Sequence, residues 1–193
     1  MRYTKAKEVA LLGVLFALAM ALSFMESALT PLLGLLPAMK LGLSNVVVMF
    51  ALLFLPRRQA LLLAVLKAVF ALLTRGVTAG FLSLCGGGAS FAVLCLLLAW
   101  PRPVTGFIFS VCGALAHNIG QLCGAAVLLS DHMALAYAPV LLCAGTVVGS
   151  LTWAVSRAVF PALRRVWKSE EKRERNIIFY DVILKYFAFH VDI

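Results

Sequence analysis

The stretch Pro37-Ala38-Met39-Lys40-Leu41-Gly42-Leu43-Ser44-Asn45 sets a lysine, a glycine and an asparagine at the mouth of an apolar helix. An ammonium and an amide are costly against lipid, so they should face protein, water or a ligand. The surrounding chain makes lipid the relevant solvent. Its 193 residues are 63% hydrophobic and only 13% charged, with a mean hydropathy of +1.02. Soluble domains run at about 45–50% apolar and about 25% charged. The charges cluster between long apolar runs, the pattern of an integral membrane protein with several helical spans. Ten-residue segments of alternating polarity are absent, which argues against a membrane β-barrel.

Upstream, Arg2, Lys5 and Lys7 precede the apolar run Val9 to Met25, which ends at Glu26. The run resembles a signal peptide, but further strong spans follow, so it reads as a retained first helix. Gly13, Ala17 and Ala21 recur every four residues on it and form a flat stripe that another helix can approach closely. Two readings stand: packing within the same bundle, or a docking face for a partner protein. Ser27 to Met39, broken by Pro31, Gly34 and Pro37, reads as a loop that re-enters the membrane or caps a cavity.

Downstream, a short second span runs from Leu41 to Leu55, against the roughly 20 residues that crossing requires. Pro56-Arg57-Arg58 makes a basic turn, and a third span covers Gln59 to Thr74 with Lys67 near its middle. Inserting an ammonium at that depth costs on the order of 2.5–3.5 kcal/mol, so it should point inward. Arg75, eight residues on, falls close to the same helical face. The fourth span, Val77 to Trp100, carries Gly76 and Gly80 at its start and Gly86-Gly87-Gly88 in its middle. Without the G-x-x-x-x-G-K-[ST] pattern the triplet is no phosphate loop; it marks close packing or a local break. The fifth span, Val104 to Leu129, places His117 and Gln121 on one face with Asn118 beside them. The sixth runs from Ala134 to Phe160, with Gly145 and Gly149 as a packing pair. A basic segment, Arg157 to Arg175, leads into an apolar-aromatic tail, read either as an interfacial helix or as a disordered end.

The expected fold is therefore all-α: a six-transmembrane-helix bundle over residues 1–165 and a cytoplasmic basic tail over 166–193. The N-terminus, Arg57-Arg58, Arg102 and the C-terminal segment share one side, and the positive-inside rule places that side, with both termini, in the cytoplasm. The net charge of +9 belongs to this asymmetry. No zinc-finger spacing or basic stripe points to nucleic acid. The five cysteines form no C-x-x-C pair and read as small apolar packing residues.

Placed on this bundle, Glu26, Lys40, Ser44, Asn45 and Arg75 fall at the outer end, Lys67 lies deeper, and His117, Asn118 and Gln121 lie within the fifth span. Lys40, Lys67 and Arg75 against Glu26 leave two positive charges in surplus. Buried charge seeks a partner, so an anionic ligand group, carboxylate or phosphate, is one reading. The other pairs Glu26 with Lys67 or Arg75 and sends the remaining cations to lipid phosphates. Enzyme chemistry has no carrier: there is no aspartate-rich pair, no H-E-x-x-H and no G-x-S-x-G. The chain reads as a non-enzyme without cofactor or metal, and any ATP-driven work requires another subunit.

The runs Lys40-Leu41-Gly42-Leu43-Ser44-Asn45 and His117-Asn118-Ile119-Gly120-Gln121, at this separation in a six-span chain, resemble the Gx transporter family, often labelled heptaprenyl diphosphate synthase component I. The resemblance covers about residues 5–165 and extends, more distantly, to the substrate-binding S components of bacterial energy-coupling factor (ECF) transporters. It implies a capture subunit in the cytoplasmic membrane that takes a vitamin- or cofactor-like molecule from outside. Such a subunit docks on a transmembrane coupling protein driven by two ATPases. By the same resemblance Ala17 and Ala21, with Gly13 one turn earlier, form the docking face, and the segment around Ser27 to Met39 gates the pocket. The family label implies the alternative, an accessory membrane subunit beside a catalytic prenyltransferase. A structural membrane scaffold without a small ligand is a third class.

Overall fold

The computed structural model describes residues 5–29, 32, 43–101, 104–128, 136, 138–155 and 157. Lys40, most of the segment after the first helix, Arg102, the loop at Asp131 and His132, and the tail over 166–193 lie outside them. All regular structure among the described residues is helical: α1 (Lys5–Leu29), α2 (Asn45–Phe54), α3 (Arg57–Arg75), α4 (Val77–Ala99), α5 (Gly106–Leu128) and α6 (Ala138–Val155).

Proline and glycine set the breaks. Leu55, before Pro56, is extended at φ −117° and ψ 160°, and Trp100, before Pro101, at φ −68° and ψ 135°. A proline ring clashes with a helical residue before it, so α2 and α4 both stop there. Between α3 and α4 the chain turns on Gly76 alone, at φ 90°. That positive φ is open to glycine and strained for other residues. The Gly76 N–H still donates to the Leu72 carbonyl, and its own carbonyl accepts from Gly80. Gly86-Gly87-Gly88 does not break α4, which runs unbroken for 23 residues.

The helices pack antiparallel, and glycine fixes their separation. A Cβ added at Gly120 would lie 2.6 Å from the Cys85 carbonyl oxygen, and one at Gly113 would lie 2.9 Å from Leu94. These contacts run in opposite directions along α4 and α5. Gly149 against Val111 and Gly145 against Asn118 do the same for α5 and α6. At the far end of that pair, Phe107 and Trp153 meet edge to face at 5.5 Å, and Arg157 lies over the Trp153 ring.

Four helices, α1, α4, α5 and α6, are long and apolar enough to cross a membrane. Large apolar side chains such as Val9, Phe24, Leu73, Val77, Leu96 and Val127 stand exposed on the outside. A water-facing surface does not carry this much apolar area, and a lipid-facing one does. The chain is thus a helical membrane protein, and among the described residues these four helices, of the six spans expected, have the length and composition to cross. The ten residues of α2 rise only about 15 Å. Val47, Val48, Met49, Ala51, Leu52 and Leu53 bury it on all sides as a central core helix. The 19 residues of α3 carry Arg57, Arg58, Lys67 and Arg75, which dilute its apolar character.

Candidate functional site

On α3 the residues Ala60, Leu63, Ala64, Lys67, Ala68 and Ala71 are buried. Their three- and four-residue spacing makes one stripe, so Lys67 enters the bundle because its position belongs to the inward face. It is 4% exposed, and its Nζ has no hydrogen-bond partner among the described residues. Two turns on, half-buried Arg75 ends the same stripe, and its Nη1 also lacks a partner there.

Both cations line a small polar cavity. From α1 it receives Ser23, and from the start of α2 it receives Ser44. Ala79 and Ser83 come from α4, and His117 and Gln121 from α5. The space amounts to about 10 Å³ for the centre of a water molecule, on the order of one water. The inward face of α4 makes even this room, because Ala79, Ser83, Gly86, Gly87 and Ser90 are all small and buried. Gly86 also seats the α5 residues. A Cβ there would stand 2.8 Å from the His117 carbonyl oxygen and from the Gln121 side chain. His117 and Gln121, one turn apart, touch through their Nε2 atoms at 2.9 Å. An amide nitrogen only donates, so His117 Nε2 is the acceptor.

Glu26 lies beside the cavity, fully buried. Its Oε1 accepts from the Leu43 N–H at 3.3 Å, at the start of α2. Ser23, one turn before Glu26, and Ser44, next to Leu43, both line the cavity with Lys67 and Arg75. Glu26 is buried because Leu15, Ala19 and Ser23 precede it on the packed face of α1. Among the described residues this end of the bundle thus holds two cations and one carboxylate.

Two expected site residues serve other contacts. The Asn45 amide donates to Ser90 Oγ, and Ser90 donates to the Gly113 carbonyl at 2.9 Å, so these two ties link α2, α4 and α5. Asn118 donates to the Leu141 carbonyl and joins α5 to α6. Neither lines the cavity. Asn118 is one residue from His117, about 100° around the helix, so it meets a different neighbour. Lys40 lies outside the described residues. Sequence reasoning missed Ser23 and Ser83, whose only signal is their register with Glu26 and with Gly86. It also missed Ser90 as the partner of Asn45.

Gly13, Ala17 and Ala21 lie exposed, on the side of α1 away from Leu15, Ala19 and Ser23. Nothing lies within 4 Å of a Cβ placed on Gly13. Of the two readings of this stripe, packing inside the bundle is not what the described residues do with it. The five cysteines are free, and Cys123 and Cys143 are exposed rather than packed in the core. Among the described residues no group of three or more His, Cys, Asp or Glu side chains is placed to hold a metal ion.

Comparison with known families matches the chain to the model described as heptaprenyl diphosphate synthase component I, over residues 15–159. The chain belongs to that family. The match runs from α1 through α6 and takes in every residue that lines the cavity. The resemblance drawn from the Lys40–Asn45 and His117–Gln121 runs therefore leads to the same family. Comparisons with curated proteins and with solved structures returned no match.

Proposed function

We propose that this protein is the substrate-capture subunit of an energy-coupling factor type uptake transporter. It takes a small anionic, vitamin- or cofactor-like molecule from outside. In this reading the bundle inserts with six spans and both termini cytoplasmic. The chain carries out no chemistry of its own. The single observation behind it is the convergence of Lys67, Arg75, His117 and Gln121 on one polar cavity between lipid-facing helices. A buried ammonium without a hydrogen-bond partner is costly, and an anion from outside would relieve that cost. The bare stripe Gly13, Ala17 and Ala21 supports the rest of the reading, since it offers a coupling protein a flat helix face.

A second reading has its own support in the family description: an accessory membrane component beside a catalytic prenyltransferase. A prenyl diphosphate joins an anionic head to an apolar chain, and cations between lipid-facing helices suit that chemistry too.

Affinity purification from native membranes separates the two readings. Capture predicts co-purification with a membrane coupling protein and ATPase subunits, and loss of both on Ala17→Trp with the fold intact. Recovery of a soluble prenyltransferase instead, unaffected by Ala17→Trp, would replace the first reading with the second.

A further inference from the structure

The cavity beside Lys67 has room for about one water. An anionic group cannot enter it unless something leaves. Among the described residues at this end of the bundle, one side chain already supplies the negative charge: Glu26, fully buried and anchored on the Leu43 N–H. The geometry points to Glu26 as a built-in stand-in for the ligand's anionic group, which a phosphate or carboxylate replaces at Lys67 and Arg75 when it binds. This inference rests on the capture reading and adds how the site opens.

Three features carry it. First, among the described residues Lys67 Nζ and Arg75 Nη1 meet no hydrogen-bond partner, while Glu26 follows Ser23 by one turn and is bonded to the residue before Ser44, and both serines line the cavity with the two cations. The resident carboxylate therefore leaves their hydrogen-bonding capacity unfilled, and a phosphate or diphosphate brings more acceptor oxygens than a single carboxylate. Second, Glu26 sits in the last turn of α1, and one bond that holds it comes from Leu43, the residue just before Ser44. Releasing it removes a tie between the end of α1 and the start of α2, so exchange of anions also loosens this end of the bundle. Third, the Ser44 hydroxyl remains on the cavity wall when Glu26 withdraws.

The test uses the purified full-length protein in phosphatidylcholine nanodiscs, with inorganic pyrophosphate as probe and thermal unfolding as readout. Glu26→Gln removes the internal competitor. It is expected to bind pyrophosphate about tenfold more tightly than wild type, because less of the protein is held in a closed state. Lys67→Met is expected to lose the response. If Glu26→Gln does not fold, Glu26→Asp, with its carboxylate one methylene closer to the α1 backbone and its bond to Leu43 weakened, is expected to bind more tightly than wild type. A parallel arm without pyrophosphate, in nanodiscs containing phosphatidylglycerol, distinguishes a lipid phosphate from a free one. The arm that stabilises Glu26→Gln more than wild type identifies the source. Equal or weaker anion response in the Glu26 variants, in both arms, overturns the exchange. Such a result leaves the capture reading standing if the coupling protein still co-purifies, and loss of that co-purification overturns the capture reading by itself.

Discussion

At the scale of single residues, the described residues at the cavity end of the bundle set two cations, Lys67 and Arg75, against one buried carboxylate, Glu26, and the imbalance has measurable consequences. Among the described residues at this end of the bundle, removing Glu26 leaves Lys67 and Arg75 without a counter-charge, whereas removing Lys67 leaves one cation, Arg75, and one carboxylate. Leaving a buried charge without a counter-charge costs about 3–5 kcal/mol. Glu26→Gln is therefore expected to lower the unfolding free energy by about 3 kcal/mol, while Lys67→Met changes it by less than about 1 kcal/mol. Denaturation in detergent reads both, and equal losses would show that Lys67 is an integral half of a structural pair. Lys67 was legible in the sequence because an ammonium inside an apolar run can only turn inward. Its meeting with Ser23, Ser83 and the His117–Gln121 pair was not. Which face a residue takes follows from its own helix, but which neighbour it meets depends on how far each helix is rotated about its axis. Asn45 and Asn118 show the limit: both are polar and inward, yet Ser90 and Leu141 take them up in ties between helices.

At the scale of elements, glycine decides how close α4 and α5 come. Gly120 faces the Cys85 carbonyl at 2.6 Å from a built Cβ, whereas nothing lies within 4 Å at Gly88. Gly120→Val is expected to cost about 3 kcal/mol, the upper end for overpacking, because the obstacle is backbone. Gly88→Ala is expected to be neutral or to stabilise by up to about 1 kcal/mol through helix propensity. Thermal unfolding of the two variants checks this contrast, and similar losses would mean that the triplet works as a break rather than as packing. The ends of α3, α4 and α5 were legible to within about two residues because Pro56, Gly76 and Pro101 punctuate them. The shortness of α2 was half legible. Its apolar run suggested a start at Leu41, but the helix begins at Asn45, where its amide ties to Ser90.

At the scale of the whole molecule, Arg57, Arg58 and Arg157 gather at one end of the helices, and the cavity cations lie toward the other, with Arg75 at the end of α3. If the positive-inside rule sets the orientation, the cavity opens away from the cytoplasm. In a cysteine-free background, Arg58→Cys is then expected to label only from the cytoplasmic side and Val77→Cys only from outside. The reverse pattern would turn the cavity inward and remove uptake as its purpose. The central claim, that these helices enclose a site for an anionic small molecule, is tested most directly by native mass spectrometry of the protein purified from its own membrane. The account predicts a retained small anion on the wild-type chain and none on Lys67→Met. A wild-type chain that carries nothing, or a Lys67→Met chain that carries the same molecule equally well, would contradict it.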